Sequence, residues 1–124
     1  MKRKVLLVED DESSRDIIKY LLKESFDLVI TFRGEDAIAL AKQKQFDLIL
    51  MDIKLNYGMN GIQATKEIRK INGYENCPII AITAYAMRGD EEYFLSQGMS
   101  KYISKPFDFK DFLNTINTTL TSNN

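Results

Sequence analysis

Five short apolar runs alternate along the chain with segments of helical spacing, and this alternation constrains the fold more than any other feature. The runs are short for helices, and their continuous apolarity is typical of strands that are buried on both faces. Strands that alternate with helices pair in parallel through right-handed crossovers, so the pattern predicts a doubly wound α/β domain. The predicted strands are residues 5–8, 28–30, 48–51, 79–82 and a weaker 102–103.

The segments between these runs carry apolar residues at helical spacing, which predicts five helices. Stripes lie at 17–22 and 109–120, segments 35–44 and 62–71 have the same pattern, and 88–97 is the least regular. Asn60 and Gly61 are predicted to begin the third helix, because asparagine is a favoured N-cap. The polar residues 118–124 are predicted to be a fraying end or the stub of a connection to a further segment.

The length and composition predict one domain over residues 1–124. A chain of this length with 44% hydrophobic residues can bury a core without disulfides or metals. Cys77 is the only cysteine, and we expect it to be a small core residue, an arrangement that suits a reducing compartment. No apolar run approaches the roughly 20 residues of a membrane span. We therefore expect a cytoplasmic protein with no membrane contact.

The absence of histidine removes several kinds of site. A Ser-His-Asp triad, a Cys-His pair and a histidine zinc site all need an imidazole. A formal net charge of -1 also argues against a dedicated nucleic-acid binder, which would normally carry a basic face. Any chemistry must therefore use carboxylates, hydroxyls, amines or the groups of a partner.

Polar residues follow the predicted strands at the points where they end. In a parallel sheet these ends meet at one edge, where ligands bind doubly wound domains. Clustered carboxylates repel one another and need a cation, and hard oxygen ligands suit Mg²⁺. A carboxylate beside Mg²⁺ with a lysine opposite can accept a phosphoryl group as an acyl phosphate. The residues concerned are Glu9, Asp10 and Asp11, then Asp52, then Thr83, and finally Lys105 before Pro106.

These residues, in this order, closely resemble the receiver domain of two-component response regulators over essentially the whole chain. The matching pieces are Val-Glu-Asp-Asp at 8–11, Met-Asp at 51–52, Ile-Thr-Ala at 82–84 and Tyr-Ile-Ser-Lys-Pro at 102–106. The resemblance implies a flavodoxin-like sheet with strand order 2-1-3-4-5 and five helices. It also implies a cis peptide bond between Lys105 and Pro106.

The resemblance implies a role for each matching residue. Asp52 would accept the phosphoryl group from a phosphohistidine of a sensor histidine kinase or a histidine phosphotransfer protein. Glu9, Asp10, Asp52 and the backbone carbonyl of Lys54 would hold Mg²⁺, and Lys105 would pair with the carboxylate of Asp52 and then with the phosphoryl group. The remaining two roles belong to a switch pair, Thr83 and Tyr102.

The implied function is a phosphoacceptor signalling switch, and the protein would be a stoichiometric acceptor that promotes its own phosphorylation and dephosphorylation. It would not be a turnover enzyme. Phosphorylation would change the surface around the fourth helix, fifth strand and fifth helix, where a downstream protein target would bind, with no direct nucleic-acid contact. The chain would be a stand-alone regulator or the receiver of a hybrid sensor kinase.

The loop after Asp52 departs from the commonest family pattern, which carries a proline and is about one residue shorter. Lys54 and Tyr85 occupy positions at which members of the family differ in acyl-phosphate lifetime. We therefore expect both residues to tune hydrolysis by controlling access of water.

Three other functions share parts of this sequence pattern. A flavin or nucleotide binder of similar topology would need a phosphate cradle after the first strand, where this chain has four acidic residues. A phosphatase that turns over through an aspartyl phosphate would carry a second aspartate two residues after the first, where this chain has Lys54. The third alternative is a degenerate receiver that acts as a phosphorylation-independent interaction module, and the intact acceptor, metal-binding acids, Thr83 and Lys105 argue against it.

Overall fold

Five parallel strands form one sheet in the order β2-β1-β3-β4-β5, which confirms the predicted fold class. The computed structural model describes residues 2–56, 58–84 and 90–122. The elements, in chain order, are β1 Arg3–Val8, α1 Glu12–Leu22, β2 Phe26–Thr31, α2 Gly34–Gln43, β3 Leu48–Asp52, α3 Gly61–Arg69, β4 Ile79–Thr83, α4 Asp90–Ser96, β5 Lys101–Ser104 and α5 Phe109–Ser122.

The strands extend beyond the apolar runs that predicted them. Strand pairing continues into polar residues, so Asp52 and Thr83 are the last residues of β3 and β4. At the other end of the chain, the prediction of a frayed tail from residue 118 is wrong as far as Ser122, because α5 continues to that residue. Thr119 and Leu120 are each only 5% exposed, and this burial anchors the last turns. Residues 123–124 lie outside the described residues.

Two apolar layers cover the sheet, one on each face. Leu6 and Val8 of β1 point into the layer shared with α2, α3 and α4, whereas Val5 and Leu7 point into the layer shared with α1 and α5. All four side chains are fully buried, as the continuous apolar run predicted. Cys77 lies in the first layer, where burial raises the pKa of its thiol to about 11. The cysteine is thus a core residue, as predicted.

Tyr74 closes the amino-terminal edge of the sheet, opposite the ends that carry the predicted site. Its ring is buried, its hydroxyl donates to the carbonyl of Lys44 at 2.5 Å, and the same oxygen accepts from the amide of Phe46 at 3.0 Å. The phenol therefore ties the α2–β3 connection to the α3–β4 connection.

Replacement of Tyr74 by phenylalanine is expected to lower the free energy of unfolding by about 1–3 kcal/mol, because it leaves the buried amide of Phe46 without its partner and removes the hydrogen bond to the carbonyl of Lys44. Urea denaturation measures this difference. Tyr20→Phe is the matched control, since Tyr20 is 72% exposed, and it should change stability by less than about 0.5 kcal/mol. Equal stability of the two variants would contradict the role given to the Tyr74 hydroxyl.

None of the helices in the described part of the chain combines the length and apolarity required to cross a membrane.

Candidate functional site

The carboxyl ends of β1 and β3 bring three acidic residues together. Carboxylate oxygens of Glu9, Asp10 and Asp52 lie within 4.8 Å of one another. Glu9 is fully buried, Asp52 is 5% exposed, and Asp10 is half-buried. The residues that follow the apolar runs predicted this cluster, and its members lie at the ends of two neighbouring strands that finish at the same edge of the sheet.

The turn from β1 into α1 gives the neighbouring acids different tasks. The amide of Glu9 donates to the carbonyl of Thr31 at 3.0 Å, which extends the β1–β2 pairing by one residue and turns the Glu9 side chain inward. Asp11 instead caps α1 by accepting from the amide of Ser14 at 2.9 Å. That hydrogen bond holds the pKa of Asp11 below its usual value. Asp11 is therefore the N-cap of α1, whereas Glu9 and Asp10 belong to the carboxylate cluster.

Lys105 supplies the positive charge of the site. It follows β5, its amide donates to the carbonyl of Thr83 at 2.7 Å, and its peptide bond to Pro106 is cis, as the resemblance implied. The ammonium Nζ lies 2.7 Å from Glu9 Oε1 and 3.7 Å from Asp52 Oδ2. The resemblance implied that Lys105 pairs with Asp52. Its ammonium lies within ion-pair distance of Asp52 but nearer to Glu9, and the two carboxylates compete for it.

The pKa of Lys105 reflects that competition. Burial alone would lower it, but the contact with Glu9 and the charges of Asp52 and Glu9 outweigh burial and raise the pKa above its usual value. The ammonium is therefore charged throughout the physiological range.

Burial and the adjacent Glu9 raise the pKa of Asp52 from 3.8 to about 8. Lys105 and the amide of Lys54, which donates to Asp52 Oδ1 at 3.2 Å, oppose this rise but do not cancel it. Glu9 Oε1 is also buried, and the ammonium of Lys105 lies against it at 2.7 Å. Three carboxylates that one lysine cannot neutralise are a donor set that fits a hard divalent cation.

The loop from β3 to α3 packs tightly against this cluster. Asp10 Oδ2 accepts from the amide of Asn56 at 2.8 Å. Asn60 caps α3, as predicted, and forms a capping box with Gln63. A Cβ atom on Gly61 would lie 2.1 Å from the backbone oxygen of Asp52, so only glycine permits this approach of α3 to the end of β3.

Thr83 and Tyr102 lie on neighbouring strands. Thr83 is 2% exposed at the carboxyl end of β4 and is the register partner of Ser104 on β5. Tyr102 is half-buried two residues earlier on β5, and its ring centroid lies 6.0 Å from that of Phe94 on α4. The structure thus links Tyr102 to α4. Lys54 is exposed at the base of the loop, and Tyr85 lies outside the described residues.

Two residues of the site were missed as contributors to its geometry. Arg15 donates from Nη1 to the carbonyl of Asp10 at 2.8 Å, and nothing in the sequence distinguished it from other helical arginines. Gly61 was predicted only as part of a helix start. A glycine directly after an N-cap, where stronger helix formers are usual, was an available signal for close packing.

A parallel sheet of order 2-1-3-4-5 with a carboxylate cluster and a lysine at its carboxyl edge defines a receiver-type domain. The family model for the response regulator receiver domain matches residues 5–117, and the chain belongs to that family. It is therefore a phosphoacceptor signalling switch of the two-component type.

Known proteins show how far the similarity extends. The polar-differentiation response regulator DivK of Brucella anthropi is 37% identical over 121 residues, which cover 97% of this chain and 98% of DivK. The receiver domain of a sensor histidine kinase from Pseudomonas aeruginosa PAO1, solved with a magnesium ion in its active-site cleft, is 32% identical with a TM-score of 0.88, covering 98% of this chain and 99% of that domain. The chemotaxis protein CheY4 of Vibrio cholerae is 25% identical with a TM-score of 0.88, covering 95% of this chain and 98% of CheY4.

Proposed function

We propose that Asp52 accepts a phosphoryl group from a phosphohistidine of a sensor histidine kinase or a histidine phosphotransfer protein, in a reaction that requires Mg²⁺. The observation that carries this assignment is the position of Asp52. It is buried at the carboxyl edge of the sheet, within a cluster of three carboxylates and 3.7 Å from the ammonium of Lys105. Among the described residues, no other aspartate is both buried within the carboxylate cluster and paired with the ammonium of Lys105.

Glu9, Asp10, Asp52 and the backbone carbonyl of Lys54 would hold the ion. Bound Mg²⁺ would neutralise negative charge on the carboxylates and on the phosphoryl oxygens. The oxygen ligands fit the preference of Mg²⁺, and the partial exposure of Asp10 is compatible with an ion that retains several of its waters. The ion would also lower the raised pKa of Asp52 and so favour its ionised, nucleophilic form.

The transfer needs only groups that the site and its donor contain. A carboxylate oxygen of Asp52 attacks phosphorus, the P–N bond of the phosphohistidine breaks, and its electron pair returns to the imidazole. Lys105 holds its ammonium against the developing charge, and its flexible stem lets it follow the moving oxygens. The hydroxyl of Thr83 donates to a phosphoryl oxygen. The product is an acyl phosphate on Asp52.

Thr83 and Tyr102 form the switch that reports this event. Thr83 moves toward the phosphoryl group, and Tyr102 follows inward, which changes its packing against Phe94 and the surface formed by α4, β5 and α5. Phosphorylation shifts a two-state equilibrium because the two states interact differently with the new charge. The protein is a cytoplasmic, stoichiometric acceptor formed by residues 1–124, and it acts through contact with a downstream protein target.

The test is incubation of the protein with Mg²⁺ and a small acyl or amido phosphate, followed by measurement of intact mass. We expect one phosphoryl adduct that hydroxylamine removes and that does not form when the ion is chelated. Continuous release of phosphate without an adduct would indicate the phosphatase instead. Absence of both would indicate a phosphorylation-independent interaction module.

A further inference from the structure

Arg15 connects three parts of the molecule at the edge of the candidate site. It lies in the first turns of α1, and its Nη1 donates to the carbonyl of Asp10 at 2.8 Å and, at 3.4 Å, to the carbonyl of Glu9. The guanidinium also stacks on the ring of Phe32, with Cζ 4.0 Å from the ring centroid. Phe32 directly follows β2, which ends at Thr31.

These contacts close a ring around the turn that carries two of the acidic side chains. On one side, the amide of Glu9 donates to the carbonyl of Thr31. On the other side, Arg15 binds the carbonyls of Glu9 and Asp10 and rests on Phe32, the neighbour of Thr31. The backbone of the turn is thus held through both its amide and its carbonyl groups, which fixes the backbone positions from which the two carboxylates extend.

We propose that Arg15 and Phe32 together are a positioning element that orients the carboxylates of Glu9 and Asp10 and thereby strengthens binding of the divalent cation. This inference rests on the proposed function, since it concerns the same ion. Arg15 contacts backbone carbonyls rather than the ion, so it acts through the ligands. Residues that orient metal ligands in this way commonly affect metal affinity as strongly as 10-fold to 100-fold.

The sign of the effect separates this role from simple electrostatics. Arg15 is a positive charge near a cation site, and repulsion falls when such a charge is removed, so loss of charge alone would tighten binding of Mg²⁺. Loss of orientation would weaken it. Substitution of Phe32 carries no change of charge, so any weakening there comes from loss of stacking.

Calorimetric titration with Mg²⁺ alone, at fixed ionic strength, tests the proposal on the full chain. We expect Arg15→Met to weaken binding about 10-fold, and Arg15→Lys to weaken it as well, because an ammonium does not reproduce a planar group that bridges carbonyls and stacks on a ring. Phe32→Leu should weaken binding about threefold, the size expected for an exposed cation–π contact. Lys19→Met, which removes a charge one turn further along α1, should leave binding unchanged or slightly tighter.

The electron paramagnetic resonance spectrum of bound Mn²⁺ is a second measurement, and a change in protein stability alone would not alter it. This spectrum should broaden in Arg15→Met, because the ligands no longer hold one geometry, and should stay sharp in Lys19→Met. If the parent binds Mg²⁺ and Arg15→Met binds it equally or more tightly, the inference is wrong while the proposed function stands. If the parent does not bind Mg²⁺, the proposed function itself fails. If Arg15→Met does not fold, Phe32→Leu decides by the same criterion.

Discussion

Asparagine in place of Asp52 is expected to abolish the phosphoryl adduct completely and, at the same time, to make the metal-free protein more stable. The first effect follows because an amide oxygen is not a nucleophile that forms an acyl phosphate. The second follows because the burial of Asp52 and the adjacent Glu9 together raise the pKa of Asp52 to about 8. Above about pH 8, where this carboxyl is ionised, removal of the buried charge is worth about 2–4 kcal/mol in the free energy of unfolding.

The gain should depend on pH with a definite sign. A carboxyl whose pKa is raised on folding contributes its full stability below its unfolded pKa, near 4, and loses that contribution as the pH rises toward about 8. The difference between Asp52→Asn and the parent should therefore be small near pH 4, grow as the pH rises, and level off above about pH 8. Excess Mg²⁺ should reduce it, because the ion binds the folded parent and stabilises it.

Urea denaturation from pH 4 to 9, with and without Mg²⁺, measures both statements. Asp16→Asn is the matched control, since Asp16 is an exposed aspartate on α1, and its stability should follow that of the parent at each pH. An adduct on Asp52→Asn would refute the assignment of the acceptor. A metal-free variant less stable than the parent at pH 8 would refute the account of the buried carboxylates.

Gly61→Ala is expected to destabilise the protein by about 3 kcal/mol, at the upper end of the range for overpacked substitutions. The added Cβ would lie 2.1 Å from the backbone oxygen of Asp52 and 2.9 Å from the Cα of Ile53, so backbone rather than a side chain must move. The strand that carries the acceptor would shift, and phosphorylation of the folded variant should slow for that reason.

Gly34→Ala provides the matched control at the start of α2. There the nearest atom to an added Cβ is Cγ of Met59 at 2.7 Å, on a side chain that can rotate away, and the next is Cβ of Ala64 at 3.0 Å, which needs only a small shift of α3. Its loss of stability should be less than half that of Gly61→Ala, and its rate of phosphorylation should equal that of the parent. Equal losses in the two variants would show that the carbonyl of Asp52 does not limit the approach of α3.

The sequence predicted the fold because its strongest pattern is also the physical cause of the fold. Residues 5–8 and 48–51 are continuous apolar runs since both faces of β1 and β3 are covered, and that burial forces the polar residues to the strand ends. The same logic placed Glu9, Asp10, Asp52 and Lys105 at one edge. The tail from residue 118 was mispredicted because polar composition hides the burial of Leu120 on the face of α5.

The distances and contacts between side chains within the site could not be predicted from the sequence. Lys105 lies nearer to Glu9 than to Asp52 by 1 Å, a difference between 2.7 and 3.7 Å that depends on the direction of side chains from three strand ends. The contact of Arg15 with Phe32 likewise joins residues that are distant in sequence and ordinary in type. The roles assigned to the site residues and the effect of Lys54 on the lifetime of the acyl phosphate remain predictions for experiment.

The buried thiol of Cys77 gives the measurements proposed above an internal reporter. It is 8% exposed, it has a pKa of about 11, and it is the only cysteine in the sequence, so a thiol-reactive reagent should label the native protein very slowly near neutral pH. Unfolding exposes the thiol and restores its ordinary acidity. The yield of labelled chain therefore counts molecules that have opened, without a fluorophore and without denaturant. Each variant can be ranked by how often it opens under native conditions.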